Sequence, residues 1–160
     1  MKIGIFIEPP KKKFAYLSKW KKTIKKKFGN QKYLSHPLHI TVAVFDIKKK
    51  IKKDFYLKLK KEMSLYNKFK IHVTKTSIFY NDPLTDGDTL FFNIKKNKKI
   101  IVFQRKILNH FNKIDRDIFR NVFFKKKKFQ LNYKKFGFPF VGKDWIPHFT
   151  IASINSRLKK

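Results

Sequence analysis

The chain has 160 residues, 42% hydrophobic and 17% aromatic, enough for one folded domain, 1–160, with a real core. It has no Cys, which excludes disulfides and thiolate metal sites and fits an intracellular, cytoplasmic protein. Forty-one basic residues against ten acidic ones give a net charge of +31, a field that attracts phosphate polymers.

The charge has a second reading. Only Arg105, Arg116, Arg120 and Arg157 are arginines, and Lys, Ile, Phe and Asn abound, a skew that AT-rich coding also produces. No run of about 18 apolar residues exists to span a membrane. The opening MKIGIFIEPP lacks the small-residue cleavage signal of a secretory peptide. No helical pattern joins a basic face to a broad lipid-ready one, so no membrane partner is expected.

Residues 2–7, KIGIFI, read as a strand ended by Glu8-Pro9-Pro10. Phe14, Leu17, Trp20, Ile24 and Phe28 recur at steps of three and four. They predict a helix over 13–28, closed by Gly29-Asn30. A second strand spans 38–46. Ile51, Phe55, Leu59, Met63 and Tyr66 mark a second helix over 51–66. Residues 69–80 read as extended, and the turn-rich NDPLTDGD leads into a strand over 89–94.

Ile100, Phe103, Ile107, Phe111 and Ile114 mark a third helix. Residues 115–142 read as a basic loop with some extended structure. The last strand is 148–154. No Gly/Ser/Pro linker and no short-period repeat divides the chain. The order predicts a mixed α+β domain with one matching strand in each half.

Those matching strands are HPLHITVAVF and WIPHFTIASI. Alternation along the first puts Leu38, Ile40, Val42 and Val44 on an apolar face, with His39, Thr41 and Ala43 on the other. In the second, Phe149 and Ile151 point one way, and His148, Thr150 and Ala152 the other. Composition alone predicts roughly 0.004 His-x-Thr-x-Ala matches in the chain, a crude pattern count. His72-Val73-Thr74 is an internal control, since Lys75 and Thr76 break its apolar frame. One such His and Thr are ordinarily satisfied polar residues of a half-buried sheet. The whole frame, twice, points instead to chemistry.

Two imidazoles facing one groove supply a neutral ring to take a proton and a charged ring to give one. Threonine hydroxyls donate to phosphate oxygens where charge builds in the transition state. This is acid–base equipment for splitting a phosphodiester. Two His are too few ligands for a zinc site, and Thr is a poor one, so neither metal nor cofactor is expected.

At His39-Ile40-Thr41-Val42 and His148-Phe149-Thr150-Ile151 the sequence resembles the two-histidine (2H) phosphoesterase superfamily, which includes 2′-5′ RNA ligase-like proteins and RNA 2′,3′-cyclic phosphodiesterases. The resemblance implies a bilobal, pseudo-two-fold α+β fold. Two antiparallel sheets would flank a central groove, with helices outside. It implies His39 and His148 as acid and base, with Thr41 and Thr150 holding the phosphate. It implies RNA or a nucleotide as substrate, carrying a 2′,3′-cyclic phosphate or a 2′-5′ linkage. A monomer is expected.

Softer expectations surround these four residues. Trp145 is a candidate for stacking a base, or else a core or rim aromatic. Lys134, Lys135 and Lys143 are candidates for phosphate binding, or simply solvated. His36 is expected outside the reacting pair, and His72 and His110 read as structural. The competing classes are a basic RNA-binding module without turnover and a 2′-5′ RNA ligase without significant hydrolysis.

Overall fold

β1 (Lys2–Ile7) shows alternating exposure along its residues and ends before Pro9-Pro10, where proline has no N–H for a ladder. The coordinates are a computed structural model that describes residues 2–46, 53–66, 70–82, 84–111 and 126–155.

α1 (Lys11–Phe28) starts directly after Pro10 and closes at Gly29, whose φ of 70° lies in the left-handed region that glycine tolerates. Its buried positions are Leu17, Lys21 and Ile24, so the buried stripe differs from the expected one. Phe14, Trp20 and Phe28 flank it and stay partly exposed. Lys21 takes a core position because its stem is apolar and its ammonium finds backbone carbonyls.

β2 (Ile40–Asp46) begins after Leu38 and His39 rather than including them. α2 (Lys53–Ser64) is followed by β3 (Val73–Asp82) and β4 (Gly87–Ile94). α3 (Lys98–Phe111) buries Ile100, Phe103, Ile107, Leu108 and Phe111. Ile51 and Ile114, expected on helices, lie outside the described residues.

Residues 127–136 correct the expected basic loop. They form α4 (Lys127–Phe136), which ends at left-handed Gly137. α4 fully buries no residue, but Phe129, Tyr133 and Phe136 recur at steps of four and three and are half-buried, while Lys, Gln and Leu favour the helix intrinsically. A short 3-10 turn, Gly142–Asp144, precedes β5 (His148–Ile154).

The strands form two sheets, β1-β2 and the antiparallel β3-β4-β5, and the architecture is α+β. Two compact units emerge. One comprises Met1–Ile5, Val42–Lys70 and Lys96–Ile146. The other comprises Phe6–Thr41, Ile71–Lys95 and Pro147–Lys160.

In the first unit Phe45 stacks on Phe111 at 4.2 Å between ring centroids. Gln104 of α3 is fully buried. Its amide nitrogen donates to Val42 O at 3.2 Å and Phe140 O at 2.9 Å, and its oxygen accepts from Gly142 N at 3.1 Å. One side chain therefore satisfies three backbone groups of two other segments.

In the second unit hydroxyls link β5 to the β3–β4 turn. Ser153 donates to Thr85 at 2.7 Å, Thr85 and Thr89 lie 3.1 Å apart, and Thr89 donates to the Asp82 carboxylate at 2.7 Å. Each hydroxyl has one proton, so the Thr85 proton is the one available for Thr89. Gly87 fits here for lack of a Cβ, which would lie 2.6 Å from Ile154 O.

Gln104→Leu leaves three buried backbone groups unpaired at nearly unchanged volume. It is expected to destabilise the protein by roughly 2–5 kcal/mol. Urea unfolding reads this directly, and an unchanged midpoint would show that the three bonds contribute nothing net.

Candidate active site

β5 opens on His148, which lies opposite Asn93 of β4, while Thr150 lies opposite Phe91. Phe149 lies opposite Phe92 on the reverse face. Phe149 and Ile151 are buried, whereas His148 and Thr150 are half-buried. Alternation therefore places imidazole and hydroxyl together on the front of the sheet.

The His148 ring sits against two phenylalanines. Its centroid is 4.9 Å from that of Phe91 and 5.3 Å from that of Phe79, the latter edge-on at 83°. Phe79 and Phe91 stack at 4.0 Å. Beside them the Asn93 amide donates to the Ser77 hydroxyl. These four residues form a wall that sequence reasoning missed. Each lies on a strand it recognised, but their meeting depends on the pairing register of three strands.

His39 stands one residue before β2, half-buried, with Thr41 half-buried in the strand. Its Nδ1 lies 2.8 Å from Pro37 O, and its ring meets Phe6 edge-on at 4.4 Å. A carbonyl only accepts, so Nδ1 carries the proton and Nε2 is the nitrogen left to exchange one.

Lys21 braces the loop that leads to His39. Its ammonium donates to Tyr33 O and, at 2.6 Å, to His36 O. Tyr33 has a φ of 67°, a left-handed conformation that a bulky residue holds only when its surroundings fix it. Burial pulls the Lys21 amine down to about 8. The Tyr33 phenol is pushed up, first by burial and then by the Asp82 charge.

His39, Thr41, His148 and Thr150 all fall in the second compact unit. Trp145, Lys143, Lys134 and Lys135 fall in the first. There Trp145 is only 3% exposed. Lys143 is exposed and its carbonyl accepts from Lys96. Lys134 and Lys135 are exposed in the last turn of α4. Beside Lys143, Asp144 pairs with Lys128. That bond, together with nearby lysine charges, holds its carboxyl below the usual range.

His36 sits edge-on to Tyr33. His72 is exposed at the sheet's end, and its carbonyl accepts from Lys95 N. His110 pairs with Glu62 at 2.9 Å in the first unit. Among the described residues no group of three or more His, Asp or Glu side chains gathers as a metal site would require. Among them, too, no helix is long and apolar enough to cross a membrane.

An α+β chain with a His-apolar-Thr-apolar motif at the head of each of two strands has the pattern of the two-histidine phosphoesterases. A family model described as the 2′-5′ RNA ligase superfamily matches residues 9–158, a span that contains both motifs, and the chain belongs to that superfamily. Among curated proteins, none matches the chain.

Lys21→Met removes the donor from two carbonyls and is expected to destabilise the protein by about 1–3 kcal/mol near neutral pH. The gap should also depend on pH. With a folded pKa of about 8 against an ordinary 10.5, the unfolded chain holds more protons at this site between those values. The stability that Lys21 contributes therefore rises across that window, while below pH 8 the cost of burying its charge is present in full. The neutral amine still has two N–H donors, one for each carbonyl. Urea unfolding of both proteins from pH 7 to 10 measures the gap; a constant gap contradicts a buried, titrating amine.

Proposed function

We propose that the protein is a metal-independent phosphodiesterase. It hydrolyses a 2′,3′-cyclic phosphate or a 2′-5′ diester in RNA or a nucleotide. The observation that carries this reading is that the His and Thr of both motifs of a 2′-5′ RNA ligase superfamily chain, His39, Thr41, His148 and Thr150, fall in one compact unit. In each motif the His and the Thr are half-buried.

In this reaction water adds to phosphorus as one neutral imidazole takes its proton. The bond from phosphorus to a ribose oxygen breaks, and the other imidazole, charged, protonates that oxygen. Thr41 and Thr150 donate to the non-bridging oxygens, whose charge grows in the transition state. His39 acts through Nε2 in either role, because its Nδ1 proton is held by Pro37 O. Phe79 and Phe91 limit the ring positions open to His148. All four reacting groups come from one chain, so the reaction needs no second copy.

Membership of the 2′-5′ RNA ligase superfamily favours a second reading, ligation. The 5′-hydroxyl of a second RNA end then replaces water as the nucleophile at a 2′,3′-cyclic phosphate, the bond from phosphorus to the 3′ oxygen breaks, and a 2′-5′ bond forms. One imidazole takes the proton of the attacking hydroxyl and the other protonates the leaving 3′ oxygen.

The test is turnover of an oligonucleotide ending in a 2′,3′-cyclic phosphate, with chelator present and products separated by chromatography. Removing one imidazole of an acid–base pair costs about 10²- to 10⁴-fold. His39→Ala and His148→Ala should each lose that much, while His72→Ala keeps wild-type activity. Full activity in both site variants would falsify the mechanism.

A further inference from the structure

The charge of α1 is neither evenly spread nor explained by the two-histidine site. α1 carries nine lysines in eighteen residues, and no acidic residue occurs between Glu8 and Asp46. By comparison α2 has four lysines in twelve residues, with Asp54 and Glu62 among them. α4 has four in ten, and its Lys128 is paired with Asp144. Among the described residues no lysine of α1 is in an ion pair. A general coding bias toward lysine would load the helices alike.

The arrangement is also directional. The buried line Leu17, Lys21 and Ile24 lies on the side that packs against β5, and Trp20 meets Phe92 edge-on at 5.7 Å. A turn of about 100° per residue places Lys12, Lys19, Lys22 and Lys26 on the opposite side. All four are exposed, and Tyr16 stands among them, 64% exposed. Cations that track a phosphate backbone, with an aromatic ring for a base to stack on, are what single-stranded nucleic acid needs. A lipid surface would need a broad apolar face, and the apolar line of α1 is already spent on β5.

We propose that this outer face of α1 binds the single-stranded RNA upstream of the reacting end. The proposal rests on the phosphodiesterase reading for which RNA is bound. Phe92 is the register partner of Phe149, so α1 covers the sheet face opposite the one that presents His148 and Thr150. A helix is about 10–12 Å across. RNA engaged at the front must therefore pass the sheet edge before it meets the lysines, and a dinucleotide is too short to do so.

The experiment measures binding of a labelled single-stranded RNA of about 20 nucleotides and of a dinucleotide, on protein carrying His39→Ala and His148→Ala, over a range of salt. Each neutralised phosphate on a single strand contributes about 0.7 to the log–log salt slope. Replacing Lys12, Lys19, Lys22 and Lys26 by Gln, a good helix former, should weaken the 20-mer at least about tenfold. It should lower its slope by about 2–3 and leave the dinucleotide unmoved. Tyr16→Ala should weaken the 20-mer about fivefold or more, the loss of one stacked base.

A control replaces Lys53, Lys60, Lys98 and Lys127 by Gln, an equal change of charge. It should cost less than about twofold, since unengaged lysines act only through the screened long-range field. Equal losses in the two quadruple variants overturn the proposal. So does loss of binding to phosphatidylserine vesicles with RNA binding intact. The binding assay needs no turnover, so a failed phosphodiesterase reading shows separately, as wild-type protein that cleaves no cyclic-phosphate end.

Discussion

The antiparallel register of β4 with β5 is the constraint on which the candidate site depends. Asn93 opposite His148 and Phe91 opposite Thr150 put His148 and Thr150 on a front shared with Ser77 and Phe79 of β3. A slip of one residue would turn every side chain of β5 to the other face and exchange His148 for Phe149. Three devices oppose that slip. Ile94 N donates to Pro147 O at the head of β5, and Ser153 N donates to Lys32 O near its end. The hydroxyl line from Ser153 to Asp82 ties the same end to the β3–β4 turn. Gly87, closed in by the Ile154 carbonyl, permits the approach.

The two histidines are held by different means. His148 sits in a strand, walled by Phe91 and Phe79. His39 sits at a strand's entrance, where no ladder fixes it. There the fixing groups are local: Pro37 O on Nδ1, Phe6 against the ring, and Lys21 on the preceding loop. An amine buried among carbonyls is a costly brace, and its lowered pKa reports that cost. It holds a loop that includes left-handed Tyr33, which an apolar side chain at position 21 would leave with unpaired carbonyls.

Much of this was legible in the sequence, and the gaps have physical causes. β5 was readable to the residue because His148–Ile154 follows Pro147 and buries Phe149 and Ile151 on one face. Alternation in the first motif held for Leu38 through Val42, although the ladder starts only at Ile40. Periodicity reports which side a residue faces, not where hydrogen bonding begins. α4 escaped because its stripe, Phe129, Tyr133 and Phe136, spans only two turns between a lysine run and a Gly/Pro-containing segment and fully buries nothing. Lys21 escaped because pattern reading assigns lysine to solvent, and only tertiary structure supplies the two carbonyls. The Phe79–Phe91–Asn93–Ser77 wall escaped because register between distant strands is not written in either strand alone.

In the proposed reaction the charge and the site perform separate tasks. A net charge of +31 draws any polyanion and raises its encounter rate, an effect that salt screens over about 8–10 Å. It cannot choose a diester to cleave, because every RNA phosphate carries the same charge. Under the proposed mechanism the selecting groups are the opposite in kind: two imidazoles and two hydroxyls, none of which bears a permanent charge. They are half-buried on, or in the case of His39 just before, strands whose other faces are apolar, where hydrogen bonds to a developing negative charge count for more than they do in water. Lysine at those positions would bind ground state and transition state alike, which strengthens binding without speeding the chemical step. Lysines crowd the exposed face of α1, while neither motif contains one. The two proposals together separate capture of the polymer from discrimination at the bond.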